Sequence, residues 1–268
     1  MTAPSDRINP AIPVIRPSKD ALPALTTLIE IEAPTEMSKL VAFDSRDPRS
    51  RPFNLLRVQV VKKLDQCGAR LLGITSAAPG AGKSFVASNL AMSLGLLSNW
   101  QTYLIDLDLR RASLASIFGI EDTQGLTEYL LGEEISLATI GRRIGATNLA
   151  VFPSYPATVN SAELMVGERF EELIGRARAL PDDALVIFDL PPVFANDDAL
   201  LIAQQLDGML VVVEQGVTTR KQLQSAIQFL EPTPLVGTVF NRFDGGFGDP
   251  YGYAGSYDGY YSSASEPT

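Results

Sequence analysis

The feature that most constrains this chain is the stretch Gly73-Ile74-Thr75-Ser76-Ala77-Ala78-Pro79-Gly80-Ala81-Gly82-Lys83-Ser84. An apolar run, Leu71–Ser76, enters a small-residue loop, and an apolar-rich helical pattern, Phe85–Leu97, leaves it. That is the strand, loop and helix of a phosphate-binding P-loop, with Ala77 where a leading glycine is usual. Small residues let backbone N–H groups approach phosphate oxygens, and the helix N-terminus favours negative charge. Lys83 has the reach for β- and γ-phosphates, and the Ser84 hydroxyl suits Mg²⁺. The plain alternative is a glycine turn, which needs neither the lysine nor the flanking strand and helix. The motif implies bound nucleotide and leaves the reaction open.

A P-loop requires a parallel α/β sheet around it, and the rest of the chain supplies one. After a first helix expected over Phe53–Leu64, strands are expected at Thr102–Ile105, Asn148–Phe152, Leu185–Phe188, Gly208–Val213 and Leu235–Phe240. Helices are expected at Ala112–Phe118, Leu126–Leu131, Ala162–Leu180, Asn196–Gln205 and Arg220–Leu230. Short apolar strands alternating with helices give a mostly parallel sheet covered on both faces, a P-loop NTPase-like α/β domain. Ligands bind such sheets at the carboxyl ends of the strands.

Two of those strands end in carboxylates. Asp189 follows Ala-Leu-Val-Ile-Phe, as a Walker B acid that holds Mg²⁺ directly or through water does. Asp106 and Asp108, one residue apart after the strand at Thr102–Ile105, can face the same side if the backbone stays extended. Such a pair suits Mg²⁺ binding and acceptance of a hydroxyl proton, and Arg110 is placed to orient the acids or contact phosphate. A charged turn at a strand end is the alternative for each acid taken alone. The chain of 268 residues has no histidine, so carboxylates must carry proton transfer and metal binding.

The ends differ in composition. Residues 1–52 hold eight of the 18 prolines and read as an extended, flexible arm. Leu25–Ile31 within it fits either a short helix or a strand. Six basic residues fall in Asp44–Lys63, either as a solvated helix face or as a contact for an acidic partner or anionic membrane surface. Residues 244–268 carry Tyr251, Tyr253, Tyr257, Tyr260 and Tyr261, five of the eight tyrosines, among Gly, Ser and Asp, and read as a flexible tail. The division expected is therefore arm 1–52, domain 53–243, tail 244–268. A net charge of −9 argues against a general nucleic-acid binder. The single cysteine, Cys67, excludes an internal disulfide and fits a reducing compartment.

Taken together, the Ser-x-x-Pro-Gly-x-Gly-Lys-Ser loop, the Leu-Ile-Asp-x-Asp-x-Arg segment, the Asp-x-Pro-Pro segment and the tyrosine-rich end resemble the bacterial tyrosine kinases (BY-kinases). These are P-loop autokinases of capsule and exopolysaccharide assembly, and the resemblance spans roughly residues 53–268. It implies ATP and Mg²⁺ as cofactors and the five tail tyrosines as phosphoacceptors, often between subunits. It further implies a nucleotide cradle of Ala78, Pro79, Gly80, Ala81, Gly82, Lys83, Ser84 and Phe85, with Asn241 near the adenine. Ser84, Asp108 and Asp189 would serve the metal; Lys83, Asp106, Asp108 and Arg110 the transfer, Asp106 helping to deprotonate the incoming tyrosine. With no transmembrane run in the sequence, the resemblance implies a cytoplasmic kinase drawn to the inner face of the plasma membrane. Its partner there would be a membrane-bound regulator of polysaccharide chain length.

The sequence departs from the family in places. The Glu-x-x-Arg-x-x-Arg association segment keeps only Arg57, which leaves homo-oligomerisation open. Leu190 replaces the Thr or Ser that commonly follows the Walker B acid, and Ala81 stands where many members have Glu. Two other readings stand beside the kinase: a weakly active or inactive nucleotide-binding regulator of polysaccharide assembly, and a partitioning-type ATPase. Ala78 disfavours the second, because it occupies the position of the lysine that such enzymes use across a dimer.

Overall fold

The protein is described by a computed structural model over residues 21–33, 39–44, 46–122 and 124–243. Its strands are β1 (Ile29–Ile31), β2 (Leu71–Ser76), β3 (Gln101–Asp106), β4 (Arg142–Ile144), β5 (Leu149–Phe152), β6 (Ala184–Asp189), β7 (Gly208–Glu214) and β8 (Leu235–Asn241). The α-helices are α1 (Arg51–Cys67), α2 (Lys83–Gly95), α3 (Leu114–Phe118), α4 (Leu126–Leu130), α5 (Leu137–Ile140), α6 (Ser161–Leu164), α7 (Glu168–Arg178), α8 (Asp198–Ala203) and α9 (Arg220–Leu230). The strands form one sheet in the order β1-β4-β5-β3-β6-β2-β7-β8, parallel except for the β4–β5 pair.

The central strands are buried on both faces, which is why they read as unbroken apolar runs. Alternate residues still part company. Val186 and Phe188 point into a layer with Phe170 and Ile174 of α7 and Ile202 of α8. Leu185 and Ile187 point the other way, towards Val60 and Leu64 of α1 and Val86 and Leu90 of α2. That period of two sets the register and gives the sheet its two cores. Between the layers, β2 lies with β6 on one side and β7 on the other, so the P-loop leaves from the middle of the sheet.

Several expectations are revised. The long helix over Ala162–Leu180 is two helices, broken because Gly167 is extended (φ −84°, ψ 160°) and starts α7. Glycine resists the helix interior, and the restart puts Glu168 and Glu171 in a first turn that favours acids. Leu25–Ile31 is both of its alternatives in succession, a 3₁₀ turn at Leu25–Thr27 and then β1. Cys67 is exposed at the end of α1.

The arm expected over 1–52 is, where described, packed on the domain. Leu22, Leu25, Leu28, Leu40 and Val41 are buried. Asn89 of α2 holds the segment at 39–44: its Oδ1 accepts from the Ala42 amide at 2.9 Å and its Nδ2 donates to the Lys39 carbonyl at 2.8 Å. Proline density limits helix and strand length without preventing burial, and composition alone does not separate the two cases. Residues 1–20 and the tyrosines at 251, 253, 257, 260 and 261 lie outside the described residues. Among the described residues no helix is long and apolar enough to cross a membrane.

Candidate active site

The loop between β2 and α2 turns through two glycines with positive φ, Gly80 at 90° and Gly82 at 87°, a conformation that side chains disfavour. Gly82 directly precedes α2, so Lys83 and Ser84 occupy its first turn. Pro79 and Gly80 are exposed, Ala78 and Phe85 half-buried, and Ala81 buried. Phe85 packs edge-to-face on Phe53 of α1, with ring centroids 5.6 Å apart.

The acids come from the two strands on the β6 side. Asp106 and Asp189 end adjacent strands as direct neighbours in register. Lys83 reaches across from α2: its Nζ lies 2.8 Å from Asp108 Oδ2, 3.4 Å from Asp189 Oδ1 and 3.2 Å from Ser84 Oγ. Burial alone would depress the Lys83 ammonium, but the charges of Asp189 and Asp108 outweigh it and hold it above the ordinary lysine range. Asp189 is raised, chiefly because burial penalises its charge, while Lys83 and Ser84 oppose the rise.

Asp106, like Asp189, is fully buried. Its Oδ1 accepts from the Asp108 amide, and its Oδ2 accepts from the amides of Ser113 and Leu114 at the start of α3. Those bonds favour the carboxylate, yet burial and the facing Asp189 charge prevail and push its pKa up to about 8. A carboxyl that exchanges its proton near neutrality is what a general base requires.

Mg²⁺ is tested by the donors present. Asp189 Oδ2 is buried and makes no hydrogen bond, an acceptor the protein leaves unsatisfied. Beside it stand the Ser84 hydroxyl and the Asp108 carboxylate. No group of three or more acidic, Cys or His ligands occurs among the described residues. That agrees with Mg²⁺, which is commonly held by one or two carboxylates together with phosphates and water. The residues fit the ion.

Two expected members sit differently. Arg110 is exposed and its Nε donates to Ser161 Oγ of α6 at 3.2 Å, so it does not orient the acids. Asn241 ends β8, where its Nδ2 donates to the Ala81 carbonyl of the P-loop at 2.8 Å. Sequence reasoning missed two buried hydroxyls that fix the strand ends. Thr75 Oγ1 donates to the Pro191 carbonyl at 2.7 Å, and Ser154 Oγ donates to the Asp106 carbonyl at 2.8 Å. Neither carries a spacing signal. Leu190 is fully buried in the core layer and packs near Gly73, so a larger apolar side chain there serves the core.

Comparison with known proteins narrows the chemistry. Residues 69–241 match a family model described as ParA, NUBPL iron-transfer P-loop NTPase. The chain is 35% identical over 189 residues to the tyrosine-protein kinase YwqD of Bacillus subtilis, an alignment covering 70% of this chain and 78% of that protein. It is 31% identical over 192 residues to the tyrosine-protein kinase ptk of Acinetobacter johnsonii, covering 72% of this chain but 26% of that longer protein. The solved kinase domain of the Escherichia coli tyrosine kinase ETK superposes with a TM-score of 0.67 at 27% identity, covering 75% of this chain and 79% of that one. With the P-loop lysine held between two strand-end acids, these relatives make the assignment: the chain belongs to the bacterial tyrosine-protein kinases, the BY-kinase family.

Proposed function

We propose that this kinase is a Mg·ATP-dependent autokinase whose acceptors are Tyr251, Tyr253, Tyr257, Tyr260 and Tyr261, and that it regulates exopolysaccharide or capsule synthesis and export. The observation that carries the reading is Lys83, ion-paired to Asp108 and Asp189 at the N-terminus of α2. ATP phosphates would lie on the loop amides, with Lys83 exchanging a carboxylate for a phosphate oxygen. Ser84, Asp108 and Asp189 would hold Mg²⁺, which would neutralise the charge that develops on the phosphates.

In the transfer, a tyrosine oxygen bonds to the γ-phosphorus, the bond to the β–γ bridging oxygen breaks, and ADP leaves. The hydroxyl proton would pass to Asp106 in its carboxylate form. Arg110, exposed beside Ser161, would act on the incoming peptide.

The partner we propose is a membrane-bound regulator of polysaccharide chain length, which would bring a cytoplasmic kinase to the inner face of the plasma membrane. Much of the basic segment is committed internally. Arg46 and Arg49 pair with Asp44 and Asp47, and Arg57 donates to the Ser93 carbonyl at 2.6 Å. Lys62 and Lys63 are exposed on α1, as is Arg51 at its start, and the paired Arg46 and Arg49 also face solvent.

The test is incubation of purified protein with Mg·ATP, with and without the cytoplasmic segment of the candidate regulator, followed by mapping of phosphotyrosine. Modification within residues 251–261 is expected, and Lys83→Met should abolish it. ATP binding without tail phosphotyrosine in either condition would favour a nucleotide-binding regulator instead. Modification that persists in Lys83→Met would point to a contaminating kinase.

A further inference from the structure

The contact between Asn241 and the P-loop gives this residue a task beside the adenine contact that the resemblance implies. Its Nδ2 donates to the carbonyl of Ala81, at 2.8 Å and across 160 residues of sequence. The same nitrogen lies 2.2 Å from where a Cβ on Gly82 would stand. Gly82 is therefore glycine for two reasons: its φ of 87° and the space that Asn241 fills. The two residues that set the path of the loop into α2, Ala81 and Gly82, are both in contact with one amide side chain.

That side chain is itself anchored. The Asn241 carbonyl accepts from the Gln215 amide at 3.1 Å, and Asn241 stands opposite Glu214 in the β7–β8 register. The next residue, Arg242, pairs with Glu214, and the Glu214 amide donates to Thr218 Oγ1 at 3.0 Å. Asn241 thus projects from a strand end fixed on β7, which in turn pairs with β2, the strand that launches the loop.

We infer that Asn241 is a positioning residue for phosphate binding: it braces the P-loop in the shape that presents its amides, and so acts on phosphate binding whether or not it also meets the base. The brace rests on the reading of the P-loop as the ATP site. Its effect should be shared by any ligand whose phosphates occupy the loop, whether or not that ligand carries adenine.

The experiment uses the full chain, with Asn241→Ala and Asn241→Ser. Binding of Mg·ADP is measured by calorimetry, and binding of Mg·tripolyphosphate by displacement of a fluorescent ADP analogue. Loss of one neutral hydrogen bond predicts weaker binding by about 3- to 10-fold, seen with tripolyphosphate as well as with ADP. Thermal melts of the ligand-free variants check that they are folded; if the alanine variant is not, the serine variant, which keeps a polar side chain at the strand end, carries the test. A loss confined to ADP overturns the brace in favour of adenine contact. No loss for either ligand also overturns it. Wild-type protein that binds neither would instead refute the ATP-site reading beneath it, and the two failures are therefore distinct.

Discussion

At the residue scale, Asp106 makes stability depend on pH in a direction opposite to most carboxylates. In the folded, nucleotide-free chain its pKa is pushed up to about 8, because burial and the Asp189 charge outweigh three backbone amides. In the unfolded chain an aspartate ionises near about pH 3.9. Between those values the folded state binds more protons than the unfolded state, so stability falls as pH rises through the window. Asp106→Asn removes a group that can ionise while keeping its size. The urea midpoint of that variant, taken without nucleotide and with a chelator, should therefore gain on wild type steadily from pH 5 to pH 8. A gap that stays constant over the range would contradict the assignment. Lys83 does not disturb this test, since its raised pKa keeps it charged throughout.

At the element scale, α2 serves two ends of the chain at once. Its first turn holds Lys83 and Ser84, and its middle holds Asn89, which binds Phe85 of its own helix as well as Lys39 and Ala42. Asn89→Leu keeps the branching of the side chain but leaves the Ala42 amide and the Lys39 carbonyl without their partner. The buried Ala42 amide left without a partner costs about 1–3 kcal/mol, so a loss of about that size is expected in urea unfolding. A loss below about 1 kcal/mol would show that the 39–44 segment is held by its apolar contacts alone. The elements that the sequence made legible are those with a single dominant signal. Apolar runs marked β2, β3, β6 and β7, and a strand end followed by Asp marked the site. Short β4 was hidden because Arg142 lies within it, buried to 9% exposure and paired with Asp122 at 2.7 Å. The packed part of the arm was hidden by its prolines. The bond from Asn241 to Ala81 joins residues too distant for any local pattern to reveal.

At the scale of the whole molecule, the sheet order explains why one ligand should stabilise most of the fold. Residues of the site come from β2, β3 and β6, and Asn241 ties in β8, so the rim of the sheet joins segments from Ser76 to Asn241. A ligand bound there binds the folded chain and not the unfolded one. At 100 times its Kd it adds about 2.7 kcal/mol. For domains of this size each kcal/mol moves Tm by about 2–4 °C, so Mg·ADP should raise Tm by about 5–10 °C. Lys83→Met should remove most of that shift, because it deletes the cation facing the phosphates while its apolar stem remains. It also leaves Asp108 and Asp189 without their shared counter-ion, so the ligand-free melt must be measured beside the bound one. A shift retained in Lys83→Met would place the nucleotide away from the loop; the absence of a shift in wild type would separate this chain from the kinases it resembles.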